Sequence, residues 1–173
     1  MISPQRIWWR PLSRPEKSWL IVAFVWCLFL TAMMPLWLLL GRQNVPANTY
    51  RVDPADYTRI VQDFVEQYQV DTLSGVPVVE PPPGSDVYLL ARQWQWYPIL
   101  KLKKGETYHL HISSVDVQHG FSLQPVNLNL QILPGYDNVA TIVPTESGEY
   151  NILCNEFCAI GHHIMASKLI VTD

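Results

Sequence analysis

Several common functional signatures are missing from this chain of 173 residues. No glycine-rich phosphate loop follows a strand and opens a helix, no serine, histidine and aspartate set points to a hydrolase, and no basic aromatic stretch points to nucleic acid. Cysteine is scarce, with three residues, and charged residues make up 16% of the chain. The chemistry therefore has to come from a small number of side chains, and two of the three cysteines lie close together near the C-terminus.

A run of metal-binding side chains lies near the C-terminus. We call residues 154–165 the ligand loop; its side chains of types that can bind metal are Cys154, Cys158, His162, His163 and Met165. Thiolate, imidazole and thioether are soft or borderline ligands that favour copper over oxygen-loving cations. One cysteine would suffice for a mononuclear blue-copper site, whereas two cysteines four residues apart allow the thiolates to bridge two metal ions.

Three other interpretations of the cysteine pair stay open at this point. An oxidising compartment would permit a disulfide between Cys154 and Cys158. A zinc site is less well supported, because structural zinc takes four cysteine or histidine ligands and has little use for Met165. The pair could also be structural. Copper is favoured by a histidine far upstream, His119, since a β-sandwich can supply one ligand from an interior loop and the rest from its last loop.

The other histidines have plainer interpretations. His109 and His111 alternate in a strand-like stretch and are expected to be ordinary strand residues. His163 is expected beside the metal ligands or at the surface, because its ring would point away from that of His162.

The N-terminal part predicts a transmembrane helix over residues 19–40. Trp19 to Leu40 contains no charged residue, and 22 residues at 1.5 Å per residue span a hydrocarbon core of about 30 Å. A signal peptide has a shorter apolar region, of about 7 to 15 residues. Pro35 removes one backbone hydrogen bond, and Cys27 is expected to face lipid or a partner helix.

Charge predicts the orientation of this helix. Basic residues precede it, whereas Arg42 and Arg51 are the first to follow; the preceding ones are Arg6, Arg10, Arg14 and Lys17. The positive-inside rule then puts residues 1–18 in the cytoplasm and the rest of the chain outside, in the periplasm of a bacterium with a plasma (inner) membrane. Four tryptophans suit the interfacial belts: Trp8, Trp9, Trp19 and Trp37.

Residues 41–84 are expected to form a linker with an amphipathic helix at about 54–68. Asp53 is a suitable N-cap before Pro54, and apolar side chains recur at three- and four-residue intervals up to Tyr68. This helix is expected to pack on a partner subunit or on the membrane-facing side of the next domain. Residues 81–84 then give a stiff, extended approach to the first strand.

Residues 85–173 have the period-two pattern of an all-β sandwich. The expected strands are 87–95, 107–114, 128–133, 138–143, 149–153 and 167–171, separated by turn residues. Residues 42–173 carry a net charge of −6 and residues 1–41 a net charge of +3. An acidic domain can steer a basic partner, although many exported domains are acidic merely for solubility.

The ligand pattern resembles subunit II of the haem-copper oxidases, with its dinuclear copper (CuA) domain. The resemblance covers residues 116–171 and includes Asp-Val-x-His at 116–119 and Cys-x-Glu-x-Cys at 154–158, followed by His162 and Met165. The Gln-Trp-Gln-Trp-Tyr segment at 93–97 resembles the family's aromatic segment. Residues 127–135 resemble the short, single-helix members of B-type cytochrome c oxidases. One departure is Ala159, where the family commonly has glycine.

The resemblance implies a Greek-key cupredoxin-like sandwich and a ligand set for two copper ions. Cys154 and Cys158 would bridge the ions, and His119 and His162 would each cap one. Met165 would bind one ion axially and the backbone carbonyl of Glu156 the other. The Glu156 carboxylate could also hold a magnesium ion at a subunit boundary, as in some relatives.

The implied function is electron transfer without a gas-reducing site in this chain. Cytochrome c or a cupredoxin would donate electrons, with Trp94 or Trp96 as the contact edge, and the haem of the catalytic subunit I would receive them to reduce oxygen to water. The same role in a nitric-oxide reductase of the superfamily is the alternative. A free, membrane-anchored cupredoxin carrier is a third interpretation.

Overall fold

The computed structural model describes residues 11–41, 48–126 and 128–173 and divides into two compact units, Met1–Gln43 and Asn44–Asp173. Several residues of the sequence argument lie outside the described residues: Arg6, Trp8, Trp9, Arg10, Arg42 and Asn127.

The first unit contains a single described helix, α1 (Arg14–Leu40), which is long and apolar enough to cross a membrane, with a mean hydropathy of 2.2 over an 18-residue window. It begins five residues before the expected apolar span. The cause is a capping box: the Ser13 hydroxyl accepts a hydrogen bond from the Glu16 N–H at 3.4 Å, and the Ser13 N–H donates to the Glu16 carboxylate at 2.6 Å. The charged residues of this first turn therefore extend the helix beyond its apolar part.

The second unit is a sandwich of two mixed β-sheets, with its core between them. The five-stranded sheet has the order β1 (Asn48–Arg51), β10 (Tyr136–Ile142), β7 (Tyr108–Ser114), β4 (Asp86–Arg92), β5 (Gln95–Tyr97). The seven-stranded sheet has the order β2 (Gln69–Leu73), β3 (Val76–Val79), β6 (Ile99–Lys103), β12 (Ala166–Thr172), β11 (Gly148–Cys154), β8 (His119–Gln124), β9 (Leu128–Ile132). This architecture confirms the predicted all-β sandwich.

Helix α2 (Pro54–Tyr68) has the bounds that its capping and periodicity predict. The Asp53 carboxylate accepts the N–H of Ala55 at 2.8 Å and of Asp56 at 3.4 Å. The buried face of α2 comprises Tyr57, Val61, Phe64 and Val65. This face packs chiefly against β4, so α2 belongs to the core of its own unit.

The segment expected to be a linker contributes more than a helix. Strands β1, β2 and β3 also come from residues 41–84, and all three pair within the sandwich. The sequence gives no signal for β2, because all five of its residues are exposed and it shows no alternation. The proline run at 81–83 therefore follows three strands instead of preceding the first.

Five expected strands are present with small shifts of their ends, namely β7, β9, β10, β11 and β12, whereas β1, β2, β3, β6 and β8 were not expected. The expected single strand at 87–95 is wrong, since the chain turns at residues 93–94 to form β4 and β5. Strand β8 was not expected because its first residue, His119, was assigned to a loop, although Phe121 and Leu123 alternate with polar residues there.

Candidate metal centre

Strand pairing brings the first two predicted ligands to one end of the seven-stranded sheet. His119 is the first residue of β8 and Cys154 the last of β11, and these strands are antiparallel neighbours with Phe121 opposite Cys154. The start of one strand therefore meets the end of the other. The remaining predicted ligands lie between β11 and β12, which are also antiparallel neighbours.

The two sulfur atoms and two imidazoles form a compact group. The Sγ atoms of Cys154 and Cys158 are 3.7 Å apart. Nδ1 of His119 lies 4.0 Å from Sγ of Cys154, and Nδ1 of His162 lies 3.7 Å from Sγ of Cys158. Ligand atoms of His119, Cys154 and Cys158 all lie within 4.8 Å of one another. Each cysteine thus has its own neighbouring histidine.

The thioether and the backbone carbonyl complete the donor group. Sδ of Met165 is 3.8 Å from Sγ of Cys158, and the carbonyl oxygen of Glu156 is 3.2 Å from Sγ of Cys154. The structure therefore brings together all six residues that the sequence nominated as ligands. Soft sulfur, imidazole and one carbonyl are a donor set that fits copper.

The cysteine pair lies in a protected environment. Burial, together with the adjacent Cys154 thiol, raises the pKa of Cys158 to about 11. Cys158 is therefore a thiol at neutral pH in the metal-free protein. Because metals bind the thiolate form, metal binding here would release a proton.

Asp116 orients His119. Oδ1 of Asp116 lies 2.9 Å from Nε2 of His119, whose side chain is fully buried. Partial burial raises the pKa of Asp116, but hydrogen bonds from His119 and from the N–H groups of Gln93 and Val117 outweigh it, so the pKa lies below its usual value. An ionised carboxylate only accepts hydrogen bonds, so Nε2 carries the proton and Nδ1 is left free to face Cys154.

The turn between β4 and β5 also contacts the ligand loop. Nε2 of Gln93 and Nε1 of Trp94 donate hydrogen bonds to the carbonyl oxygen of Cys158 at 3.1 and 3.2 Å. Neither Gln93 nor Asp116 was expected to contact the donor group. The position of Asp116 three residues before His119 was the available signal for it, whereas Gln93 had none.

The two tryptophans proposed as contact edges differ in exposure. Trp94 is 37% exposed, whereas Trp96 is fully buried and packs edge-on against His119 and Phe121 with ring centroids 6.2 and 5.5 Å apart. Trp96 therefore cannot be a contact edge in this structure. The turn explains the difference, because Trp94 lies in the turn itself, whereas Trp96 is the middle residue of β5 and its side chain is buried.

Two glycines are required by close packing at the ligand loop. A Cβ atom at Gly120 would lie 2.1 Å from Oδ1 of Asn155 and 2.8 Å from the backbone nitrogen of Glu156. A Cβ atom at Gly161 would lie 2.2 Å from Cδ2 of Trp94. These glycines let β8 and the Trp94 ring approach the ligand loop closely.

The rim of the ligand loop is apolar and exposed. Phe157, Ile160 and Ile164 are 82%, 88% and 64% exposed. The Glu156 carboxylate instead accepts hydrogen bonds from the Gln118 amide at 2.8 Å and the Gln131 amide at 3.5 Å. His163 is exposed, as expected for a residue beside the ligands.

His109 and His111 lie in strand β7, as the alternation predicts. His109 is exposed and lies beside Thr141, whereas Nδ1 of His111 lies 2.7 Å from Oδ2 of the largely buried Asp137. His111 is therefore more than an ordinary strand residue, although it takes no part in the donor group.

Comparison with known proteins gives two relatives named cytochrome c oxidase subunit 2, both from Thermus thermophilus. One of them is 29% identical over 161 residues, which cover 91% of this chain and 92% of that protein. The other is 33% identical over 88 residues, which cover 50% of this chain and 65% of that protein. No family model matches the chain.

Solved structures agree on the fold. A chain of a heme-copper terminal oxidase dimer matches with a TM-score of 0.58 at 24% identity, covering 92% of this chain and all of the other. Rusticyanin from Thiobacillus ferrooxidans matches with a TM-score of 0.51 at 15% identity, covering 74% of this chain and 99% of the other. The expected resemblance is thus confirmed: the chain is similar in sequence to proteins named cytochrome c oxidase subunit 2, and it has a cupredoxin-like fold, a His/Cys/Cys group that could hold a metal ion, and one apolar N-terminal helix.

Proposed function

We propose that this chain is the electron-accepting subunit of a membrane haem-copper terminal oxidase, holding two copper ions in a dinuclear centre. The observation that carries the proposal is the donor group itself, in which two cysteine sulfurs 3.7 Å apart each have a histidine Nδ1 within about 4 Å. A mononuclear copper site needs only one thiolate. The second cysteine and second histidine are accounted for if a second ion is bound.

Each ligand has a proposed role. Cys154, Cys158, His119 and His162 would hold the two ions, and Met165 and the Glu156 carbonyl would supply weaker ligands. When bound, a thiolate-bridged copper pair accepts and releases single electrons. The residues of the chain hold the donor atoms in place on paired strands, so that little has to move when the charge changes.

Trp94 is the proposed point of electron uptake. Its ring is partly exposed, its N–H is hydrogen-bonded to the carbonyl of Cys158, and it packs over Gly161 in the ligand loop. These contacts join a surface aromatic ring directly to a bridging cysteine. A cytochrome c or a cupredoxin is the proposed donor, and the net charge of −6 on residues 42–173 would steer a basic donor at low salt.

On the other side of the centre, the surface around His162 is proposed to face the catalytic subunit I, whose haem receives the electrons for oxygen reduction. The exposed apolar rim of Phe157, Ile160 and Ile164 supports contact with another protein. Helix α1 would anchor the chain in the plasma membrane. The basic residues of the N-terminal segment favour a cytoplasmic N-terminus and a copper domain on the outer side.

Metal analysis tests the dinuclear proposal. The full-length chain in detergent, loaded with copper, should hold two copper ions and show a mixed-valence electron paramagnetic resonance signal shared by both nuclei. Replacing Cys158 by serine should abolish that signal, while replacing Cys27, which lies in α1, should preserve it. One copper ion per chain with a blue absorption band would refute the proposal.

The two adjacent histidines provide a second test of the ligand assignment. Replacing His162 by alanine should change the copper signal, because its Nδ1 lies 3.7 Å from Sγ of Cys158. The same substitution of the exposed neighbour His163 should leave the signal intact. The reverse result would show that the assignment is shifted by one residue.

Isolation of the native complex tests the cellular role. A haem-bearing subunit should co-purify, and the complex should consume oxygen with reduced cytochrome c or cupredoxin. Consumption of nitric oxide instead would assign the chain to a nitric-oxide reductase, and isolation without any partner would make it a free carrier.

A further inference from the structure

The peptide group between Cys158 and Ala159 is held from outside the ligand loop. Its carbonyl oxygen accepts two side-chain hydrogen bonds, from Nε2 of Gln93 at 3.1 Å and from Nε1 of Trp94 at 3.2 Å. Both donors belong to the turn between β4 and β5. Two convergent donors fix the direction of this carbonyl and therefore the plane of the peptide group.

Ala159 has an unfavourable backbone conformation. Its φ angle is +89°, in the left-handed region that glycine enters readily and that alanine avoids because of its Cβ atom. The carbonyl of Cys158 and the nitrogen of Ala159 share one peptide plane. Rotating that plane changes φ of Ala159, so the two hydrogen bonds act directly on the unfavourable angle.

The same turn reaches the other half of the donor group. The backbone N–H of Gln93 donates to Oδ2 of Asp116 at 2.6 Å, and Oδ1 of Asp116 bonds to His119. Gln93 therefore touches the upstream histidine through Asp116 and the bridging Cys158 through its own amide. Gln93 is not itself a proposed ligand, so substituting it removes the contact of its amide with Cys158 without removing a ligand atom.

We propose that Gln93 is a positioning residue that holds Ala159 in the left-handed conformation and thereby sets the position of the Cys158 sulfur. The effect on a copper signal rests on the proposed function, whereas the effect on the backbone does not. The two residues must then be energetically coupled. Without the Gln93 amide, the peptide plane between residues 158 and 159 can rotate, and Ala159 can leave its unfavourable φ angle. With glycine at position 159, that φ angle has no conformational cost, so rotation brings no gain in free energy.

A double-mutant cycle on the metal-free, full-length chain in detergent tests the coupling. Ala159→Gly alone should lower the unfolding equilibrium constant about fivefold, the lower end of the effect expected for a left-handed alanine. In a Gln93→Leu background, which lacks the donor at similar side-chain size, the same substitution should lower that constant less than about twofold, because the peptide has already relaxed. Equal factors in the two backgrounds would overturn the proposal.

Copper spectroscopy measures the geometry around the bound ions, which a loss of folding stability alone would not change. Gln93→Leu should shift the copper absorption bands and hyperfine couplings, because the Cys158 sulfur moves with its peptide. Adding Ala159→Gly should restore them, because glycine accepts the original angle with the Trp94 hydrogen bond alone. A signal that stays shifted in the double variant contradicts the proposal.

Gln67→Leu is the matched control. Gln67 is an exposed glutamine on α2 whose amide contacts Tyr68, so this variant should leave the copper signal unchanged and show no coupling to Ala159→Gly. If the metal-free cycle shows the coupling but the chain fails to bind two copper ions, the proposed function fails and the inference stands. If copper binds as proposed and the cycle is additive, the inference alone fails.

Discussion

Two histidine–aspartate pairs in the same sandwich have opposite arrangements. His119 uses Nε2 to bond Asp116 and turns Nδ1 towards Cys154. His111 has Nδ1 at 2.7 Å from Asp137 and Nε2 at 3.6 Å from Asp86, so a carboxylate lies beside each of its nitrogens. His119 therefore has one ring nitrogen available for a metal ion, whereas both ring nitrogens of His111 face carboxylates.

The surroundings of His111 favour its charged form. Burial lowers its pKa, but the hydrogen bond and charge of Asp137, with a contribution from Asp86, outweigh burial and raise the pKa above its usual value. Its ring lies against that of Tyr88 in a tilted arrangement, with the ring centroids 4.8 Å apart. Burial raises the pKa of Tyr57 on α2, and the charge of Asp137 adds to this effect. His111 thus links its own strand β7 to Asp86 of β4 and Asp137 of β10, and the number of facing carboxylates distinguishes it from a ligand.

Replacing His119 and His111 in turn by alanine should give the largest difference between a proposed copper ligand and a residue that stabilises the fold. His119→Ala should lose the mixed-valence copper signal, because one of the two imidazole ligands is gone. His111→Ala should keep two copper ions but lose about 3 kcal/mol of unfolding free energy, because a buried carboxylate loses its partner. Copper analysis and urea unfolding measure the two effects. The matched control His109→Ala, on the same strand, should change neither, and copper loss in His111→Ala would break the comparison.

Replacing each aspartate by asparagine should give a smaller separation. Asp116→Asn should weaken copper retention about tenfold, because outer partners of ligating histidines typically contribute that much to metal affinity. Asp137→Asn should leave copper retention unchanged while lowering stability. Competition with a chelator measures retention. Equal weakening by the two substitutions would mean that Asp116 does not orient His119.

The smallest expected effect is a pH dependence of stability that comes from His111. Because folding raises its pKa, the stabilisation is fully present below the unfolded value of about 6.5 and is lost as pH rises through the folded value. Urea unfolding of the metal-free chain should therefore show the advantage of the wild type over His111→Gln shrinking as pH rises over this window. His109→Gln should follow the wild type at every pH, and a pH-independent difference for His111→Gln would show that the imidazole acts without its charge.

Five of the proposed ligands were predictable because metal chemistry selects residue types at fixed spacing. The sixth, the Glu156 carbonyl, came only from the resemblance to subunit II, since any residue has a backbone carbonyl. Helix α2 was predictable because Asp53, Pro54 and the apolar spacing agree with one another. The outer contacts were not, since the hydrogen bonds of Gln93 and of His111 depend on strands far apart in sequence. Strand β8 does alternate in sequence, but it is short and starts at His119, which was assigned to a loop. The different exposures of Trp94 and Trp96 depend on where the turn between β4 and β5 falls, which the sequence pattern does not indicate.

Gly161 has a consequence for how this sequence can change over time. Its backbone, with φ of −86°, suits any residue, so only the Trp94 ring 2.2 Å from a would-be Cβ keeps the position free of a side chain. A larger residue at 161 should therefore be tolerated only after position 94 has become smaller. Since Trp94 is the proposed site of electron uptake, positions 94 and 161 should vary together across species, each restricting the substitutions open to the other.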